Sequence, residues 1–468
     1  MPESRKERDF LGEVDVPARA YYGAQTQRAV ENFPISGLRL HHQLVKAMAL
    51  IKRAAAVANA EAGRLPEDVA AAIVQAADEV IEGQHADQFP VDAFQAGAGT
   101  SSHMNVNEVL ANRAGELLGE PRGSYERVHP NDHVNLGQST NDVFPTAMRL
   151  AALEMVEALL VALDGAADAF RLKQGDFARV VKSGRTHLQD ATPIALGQEF
   201  GAYAQALSKC HQRLGLACED LCELGIGGTA VGTGATTHEG YRQRVVEELA
   251  RLTGRPLECA PDTFEAMQSM APFVRLSGEL RALATELTRI CNDLRLLSSG
   301  PNTGIGEIAL PAVQPGSSIM PGKVNPVIPE CVNMVCFQVI GNDLSIATAA
   351  QAGQLELNVM MPVIGFNLLQ SLEILTNGLN VLTTRCIGGI TADAERCREH
   401  ARASLGLATL LRAKVGYHAA SELAREAQRT GKRIGDLALE KGLMTQEELD
   451  RLLSPDAPVP QTPPRKGR

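Results

Sequence analysis

Four stretches of the chain are crowded with Gly, Ser, Thr and Asn: QAGAGTSSHMN from Gln95, HPNDHVNLGQSTND from His129, SGRTHLQD from Ser183 and GSSIMPGKVNP from Gly316. Hydroxyls, amides and glycine-exposed backbone N–H groups are neutral donors, and Lys323 adds one fixed positive charge. That inventory suits a small anionic ligand with several oxygens, such as a dicarboxylate. Any one stretch alone reads as a helix connection built from ordinary turn residues. Four together, two of them setting a His or Lys beside hydroxyls, read as the parts of a site.

The last stretch carries the most chemistry. Gly316 and Gly322 leave a flexible loop around Ser317 and Ser318, followed by Lys323 and Asn325. A serine acts as a base only if its alkoxide is stabilised, by a cation or by converging backbone N–H groups. A loop that closes over substrate supplies both and excludes water. No metal motif competes: H-E-x-x-H is absent, the 11 histidines are scattered, and the nine cysteines form no C-x-x-C pair. Gly225 to Gly234 (GIGGTAVGTG) is glycine-rich, but it follows a helical pattern and lacks the βαβ context of a dinucleotide site. No metal and no cofactor are therefore expected.

These stretches need a scaffold, and the apolar pattern supplies it. From Phe200 the positions Tyr203, Leu207, Cys210, Leu214, Ala217, Leu221 and Leu224 step by three and four alternately, and Leu276, Leu280, Leu283, Leu287, Ile290, Leu294 and Leu297 do the same. Three heptads predict rods of roughly 40 Å that cross at shallow angles in a bundle. A third helix is expected over Leu153 to Ala167, a fourth from Pro329 to about Ala350, and a fifth over 355–386, bent near Pro362. The exposed stripes of such rods call for partners, so a homo-oligomer is expected. The fold class is all-α: an N-terminal region at 1–140, a central helical bundle at 141–391 and a small C-terminal helical domain at 392–454. A disordered tail at 455–468 carries Arg465, Lys466 and Arg468. Thr445 and Glu448 predict a capping box for the last helix.

Composition narrows the function. The 468 residues hold 45 Lys+Arg against 55 Asp+Glu, a formal charge of −10, which disfavours a nucleic-acid partner. With 6 Tyr, 12 Phe and no Trp, the chain lacks the side chains that strands draw on. No run approaches the roughly 18 apolar residues of a membrane span. Met1 to Phe10 is charged and has no apolar signal core, and the cysteines read as reduced thiols, so a cytoplasmic location is expected.

GSSIMPGKVNP, from Gly316 to Pro326, resembles the signature of the aspartase/fumarase superfamily. With the GTSSHMN, HPNDHVN, QSTND and SGRTHLQD blocks in the same order, the resemblance runs from about Leu11 to Leu453. It implies a homotetramer whose core helices come from four subunits, active sites shared between subunits, and reversible anti addition–elimination across fumarate. It also implies a mechanism in which a proton leaves the carbon beside one carboxylate, giving a doubly charged aci-carboxylate before the leaving group departs. Donors preorganised around one carboxylate are what such an intermediate needs.

Carried over by motif, Ser317 is the expected base. Lys323 and Asn325 hold a substrate carboxylate, with Ser318 beside them. Thr100, Ser139, Thr140 and Asn141 line the other carboxylate and the leaving group. Thr186 and His187 complete the site, with Glu330 expected to hold the His187 imidazole. His129, Asn131 and Asp132 resemble a secondary anion site described for fumarases; read without the family, they are a solvent-facing helix-start turn.

Within the superfamily, AGTS at Ala98, QSTND at Gln138, the run from Cys291 to Gly300, PVIPE at Pro326 and the run from Gly353 to Met360 resemble aspartases. His129, Val143 to Met148, Gly227 to Ala230 and Gly304 to Ile308 resemble class II fumarases. The Thr140 hydroxyl belongs to the expected site and weighs toward elimination of ammonia from L-aspartate. Interconversion of L-malate and fumarate is the alternative. A catalytically retired structural protein is the second, although Ser317, His187, Lys323 and Asn325 are all present. The branches that cleave argininosuccinate or adenylosuccinate share only the shorter core of the signature.

Overall fold

The computed structural model describes residues 4–454, so the tail expected at 455–468 lies outside the described residues. The chain opens with an antiparallel hairpin of β1 (Ser4–Asp9) and β2 (Gly12–Pro17). Four helices follow: α1 (Ala24–Asn32), α2 (His42–Glu61), α3 (Glu67–Ile81) and α4 (Thr100–Leu117). Helix α5 (Thr140–Asp176) runs for 37 residues and leads into a second hairpin, β3 (Val181–Thr186) and β4 (Gln189–Ala195). Next come α6 (Leu196–Glu219), the short strand β5 (Glu223–Leu224), α7 (Tyr241–Thr253) and β6 (Glu258–Cys259), which pairs in parallel with β5. After α8 (Thr263–Gln268) lie α9 (Ala271–Leu297), β7 (Ile308–Ala309), α10 (Val327–Gln351) and α11 (Met361–Arg385). Strand β8 (Thr391–Ala392) pairs with β7 ahead of α12 (Ala394–Ala403), α13 (Leu407–Thr430), α14 (Ile434–Glu440) and α15 (Gln446–Leu452). The sheets are two-stranded pieces and the rest of the regular structure is helical, as the all-α expectation required.

Several helix ends differ from the periodic reading. The heptad run from Phe200 continues through Leu221 and Leu224, yet α6 stops at Glu219. Both leucines are still fully buried, so burial outlasts the helix that first explained it. Pro362 does not bend a helix; it is the second residue of α11, where its missing N–H costs no intrahelical bond. Helix α5 starts well before Leu153 and contains Pro145. The capping box at Thr445 and Glu448 is formed.

The described chain divides into two compact units. The first comprises Met1–Val161, Cys210–Ala284 and Cys336–Thr376. Its core includes an alanine-lined seam in which Ala54, Ala55 and Ala58 of α2 and Ala76 and Ala77 of α3 are buried, small side chains that let helix backbones approach closely. Leu276, Leu280 and Leu283 are fully buried on α9, and Ile364, Leu368 and Leu372 on α11. Each such leucine contributes roughly 1.5–3 kcal/mol on leaving water.

The second unit comprises Ala162–Lys209, Thr285–Val335 and Asn377–Arg468. Phe170, Phe177, Phe200 and Tyr203 form an aromatic cluster within it, with ring centroids 5.1–6.0 Å apart. A separate core of Leu407, Leu411, Leu423, Ile434, Leu437 and Leu449 holds α13, α14 and α15 together. Among the described residues no helix is long and apolar enough to cross a membrane.

Candidate active site

The site residues expected from sequence fall into two groups, one in each unit. In the first unit they gather at two helix starts. Ser139 caps α5: its Oγ accepts the Asn141 N–H at 3.3 Å, and the Asp142 carboxylate reaches back to the Ser139 N–H at 2.9 Å. Thr140 and Asn141 are therefore the first two residues of α5. Helix α4 begins at Thr100 behind Gly99, which has φ +87° and no side chain to cap with. Gln95 takes the Ser102 N–H at 2.9 Å, and no Gly99 side chain competes for the earlier ones. A Cβ on Gly99 would lie 2.3 Å from the Phe144 ring, so the two helix starts pack tightly and only glycine fits. His103, one turn after Thr100, shares a hydrogen bond of 2.7 Å with Thr140 Oγ1 and joins the two starts through side chains. Hydroxyls beside two helix N-termini make a neutral, donor-rich surface suited to a carboxylate.

Asp142 explains the glycine-rich segment that follows α6. Its Oδ2 accepts the N–H groups of Gly227 and Thr229 at 2.9 and 3.0 Å. Gly227, Thr229, Gly232 and Gly234 all have positive φ, so the chain curls to aim amides at this carboxylate. Asp142 is fully buried, and burial pushes its carboxyl up from the ordinary aspartate value against the pull of those N–H groups. The loop thus buttresses the start of α5. Asn141 is tied to it as well, donating from Nδ2 to the Ala230 carbonyl at 2.8 Å.

Behind Thr140 lies a polar chain with no counterpart in the expected site. Lys52 Nζ is 2.6 Å from His103 Nε2 and donates to Asn135 Oδ1 at 2.9 Å and Gln138 Oε1 at 2.8 Å. Lys52 is fully buried and His103 nearly so. Burial pulls the Lys52 ammonium well below its ordinary value, which Asp142 opposes; burial and the neighbouring Lys52 both pull His103 down. The signals available in sequence were a lysine in the alanine-rich helical stretch that also holds Arg53, and a histidine three residues after Thr100.

In the second unit the serine loop is well defined. Ser317 Oγ accepts the backbone N–H groups of Ile319 at 3.2 Å and Met320 at 2.9 Å. Gly316 N–H donates to the Lys323 carbonyl at 2.8 Å and Asn325 Nδ2 to the Gly316 carbonyl at 2.6 Å, which closes the loop. A Cβ on Gly316 would lie 2.4 Å from the Lys323 carbonyl oxygen. Lys323 Nζ donates to Asn325 Oδ1 at 2.6 Å, so cation and amide sit side by side. Ser318, Ile319 and Met320 are exposed at the tip.

Thr186 and His187 stand on a structure the periodic reading missed. They belong to the β3–β4 hairpin, where Thr186 pairs with Gln189 across a two-residue turn. His187 and Leu188 have φ +56° and +58°, a backbone that Asn-Gly normally supplies. Holding two such residues there costs roughly 1–2 kcal/mol each and leaves the His187 side chain exposed. The hairpin base is fixed by charge. Buried Glu307 receives Arg185 Nη2 at 2.7 Å, Lys182 Nζ at 3.3 Å and His400 Nδ1 at 2.9 Å. Burial pushes the Glu307 carboxyl up, but Arg185 and Lys182 outweigh it and hold the group below its ordinary value.

The expected His187–Glu330 pair is not made within one chain: among the described residues Glu330 faces Arg295, at 3.9 Å. At the residues resembling a secondary anion site, the His129 ring caps a short helical turn, with Nδ1 accepting the Asn131 and Asp132 N–H groups at 3.2 Å each. The Asp132 carboxylate is 3.3 Å from the same nitrogen.

Comparison with known proteins shows the family. The family model described as Lyase matches residues 12–341, and that described as Fumarase C C-terminus matches residues 407–457. An aspartate ammonia-lyase of a Bacillus species is 50% identical over 451 residues, covering 96% of each chain. A class II fumarate hydratase of Nitrosomonas europaea is 48% identical over 456 residues, 97% of this chain and 99% of that enzyme. A crystal structure of a Brucella melitensis protein described as fumarate lyase:delta crystallin has a TM-score of 0.93 and 50% identity, covering 97% of this chain and 99% of that one. With that identity and coverage, the chain belongs to the lyase family that aspartases and class II fumarases share.

Proposed function

We propose that this lyase catalyses the reversible elimination of ammonia from L-aspartate to give fumarate, with Ser317 as the base. The observation that carries the reading is the pair of backbone N–H groups on Ser317 Oγ. Two amide donors stabilise a serine alkoxide as they would an oxyanion. The Ser317 alkoxide takes the proton from the carbon beside one carboxylate, whose oxygens receive the electron pair as the aci-carboxylate forms. That pair then builds the double bond as the C–N bond breaks, and the substrate ammonium leaves as ammonia. Lys323 and Asn325 hold a substrate carboxylate; Thr100, Ser139, Thr140 and Asn141 hold the other and face the leaving group. No step calls for a metal or cofactor.

A homotetramer with sites shared between subunits accompanies this function. It is supported by the exposed apolar stripe of Met334, Phe337, Ile340 and Leu344 on α10, where Leu344 is 70% exposed. A shared site also supplies His187 with a Glu330 from another copy. The reaction is tested by following fumarate absorbance with purified protein on L-aspartate and, separately, on L-malate. Signal from malate alone rejects the ammonia-lyase reading in favour of the class II fumarase reaction, and no signal from either favours a retired structural protein.

A further inference from the structure

We propose that Lys52 and His103 are positioning residues that make the Thr140 hydroxyl a fixed hydrogen-bond donor to the substrate carboxylate that becomes the aci-carboxylate. They act through the chain Lys52 Nζ–H···Nε2 His103 Nδ1–H···Oγ1 Thr140. The inference rests on the function proposed above and names the device that polarises one wall of that site.

The direction of the chain follows from counting donors. Lys52 Nζ has three partners within 2.6–2.9 Å: His103 Nε2, Asn135 Oδ1 and Gln138 Oε1. The two amides present oxygen because their nitrogens are committed elsewhere. Asn135 Nδ2 donates to the Gln138 carbonyl, and Gln138 Nε2 to the carbonyls of Val134 and Leu136, each at 3.2 Å. An ammonium with three N–H groups satisfies all three partners, with Nε2 as the third acceptor. The imidazole proton then sits on Nδ1 and donates to Thr140 Oγ1 at 2.7 Å. That leaves the Thr140 hydroxyl hydrogen pointing away from His103, toward the surface made by the starts of α4 and α5.

Charge makes the chain more than a brace. Asp142 on α5 is the charged group that acts on Lys52, and Lys52 is the one that acts on His103. The buried phenol of Tyr241 on α7 also faces Asp142 and is held neutral by burial. Burial loosens the hold of Lys52 on its third proton. Negative charge arriving at the Thr140 end tightens that hold, and most when the carboxylate takes up its second charge. A hydrogen-bond chain polarised in this way favours the aci-carboxylate over the ground-state carboxylate.

The test compares two inhibitors in the wild-type protein and in Lys52→Met. The nitronate of 3-nitropropionate carries the charge distribution of an aci-carboxylate, whereas succinate carries ordinary carboxylates. Inhibition constants do not depend on how much of a preparation is active. The Ki for the nitronate is expected to rise at least about tenfold, in line with the loss of one oxyanion donor, while that for succinate changes less than about threefold. Equal shifts for both, or none, overturn the proposal. Neutron diffraction from deuterated wild-type crystals answers independently of whether the variant folds. A deuteron on His103 Nδ1 with Nε2 bare is expected, and the opposite tautomer overturns the chain. Failure of the wild type to release fumarate from L-aspartate or L-malate rejects the proposed function, while the neutron result still decides the direction of the chain.

Discussion

Met320 donates its backbone N–H to Ser317 Oγ at 2.9 Å, and Ile319 adds a second at 3.2 Å. The loop that carries them is closed by other bonds, from Gly316 to Lys323 and from Asn325 back to Gly316. Removing the hydroxyl therefore removes the base and leaves the loop its closure. In Ser317→Ala, kcat for fumarate release is expected to fall roughly 10²–10⁴-fold, with the helical circular dichroism signal unchanged. Activity near wild type would sink the base assignment.

Gly99 joins the starts of α4 and α5 by having no side chain. Its φ is +87°, and an added Cβ would sit 2.3 Å from the Phe144 ring, itself fully buried. Gly99→Ala combines backbone strain with overpacking, about 2–5 kcal/mol in sum. A fall in the denaturant midpoint by that amount divided by the m-value is expected, and an unchanged midpoint contradicts the tight approach of the two helices.

The polar segments that hold Ser317, Thr100 and the Ser139 to Asn141 run were legible as helix connections from their Gly, Ser, Thr and Asn content, while the roles given to those residues came from the motif resemblance. The rods were legible because burial repeats every three or four residues. What sequence hid were features set by tertiary approach. The β3–β4 hairpin that carries Thr186 and His187 lacks an Asn-Gly turn, since His187 and Leu188 occupy the left-handed region themselves. Lys52 sits in an alanine-rich helix and gives no local hint that His103 and Gln138 lie against it. The glycines from Gly225 to Gly234 gave no sign in sequence that they aim backbone donors at a carboxylate. Their acceptor, Asp142, is more than eighty positions earlier in the chain.

Asp142 offers a test of how the helix start is held. Its two oxygens accept three backbone N–H groups, from Ser139, Gly227 and Thr229. In Asp142→Asn one oxygen becomes an NH₂ group that faces at least one of those donors. A loss of about 1–3 kcal/mol is expected from the orphaned amide. Ser139, Thr140 and Asn141 begin the helix this carboxylate anchors, so KM for L-aspartate is expected to rise as well. A variant with lowered thermal stability but unchanged KM separates the anchor from the site.

The Glu307 cluster predicts how the hairpin responds to acid. Burial opposes the charge, but Arg185 and Lys182 prevail, so the folded carboxyl binds its proton less readily than an unfolded glutamate does. Protonation then favours the unfolded chain. The contribution is fully present above the ordinary glutamate value of 4.5 and is lost as the pH falls through that value toward the lower folded one. Glu307→Gln takes from half-buried Arg185 its carboxylate partner at neutral pH, while Lys182 keeps Glu199 at 2.9 Å, a loss on the order of 1–3 kcal/mol. Its melting temperature is therefore expected to lie well below that of the wild type at pH 7, with the gap narrowing as the pH drops below 4.5. Melting curves across that range read it directly. A gap that stays constant with pH would mean that the carboxylate charge does not hold the base of the hairpin and that packing alone fixes His187 at its tip.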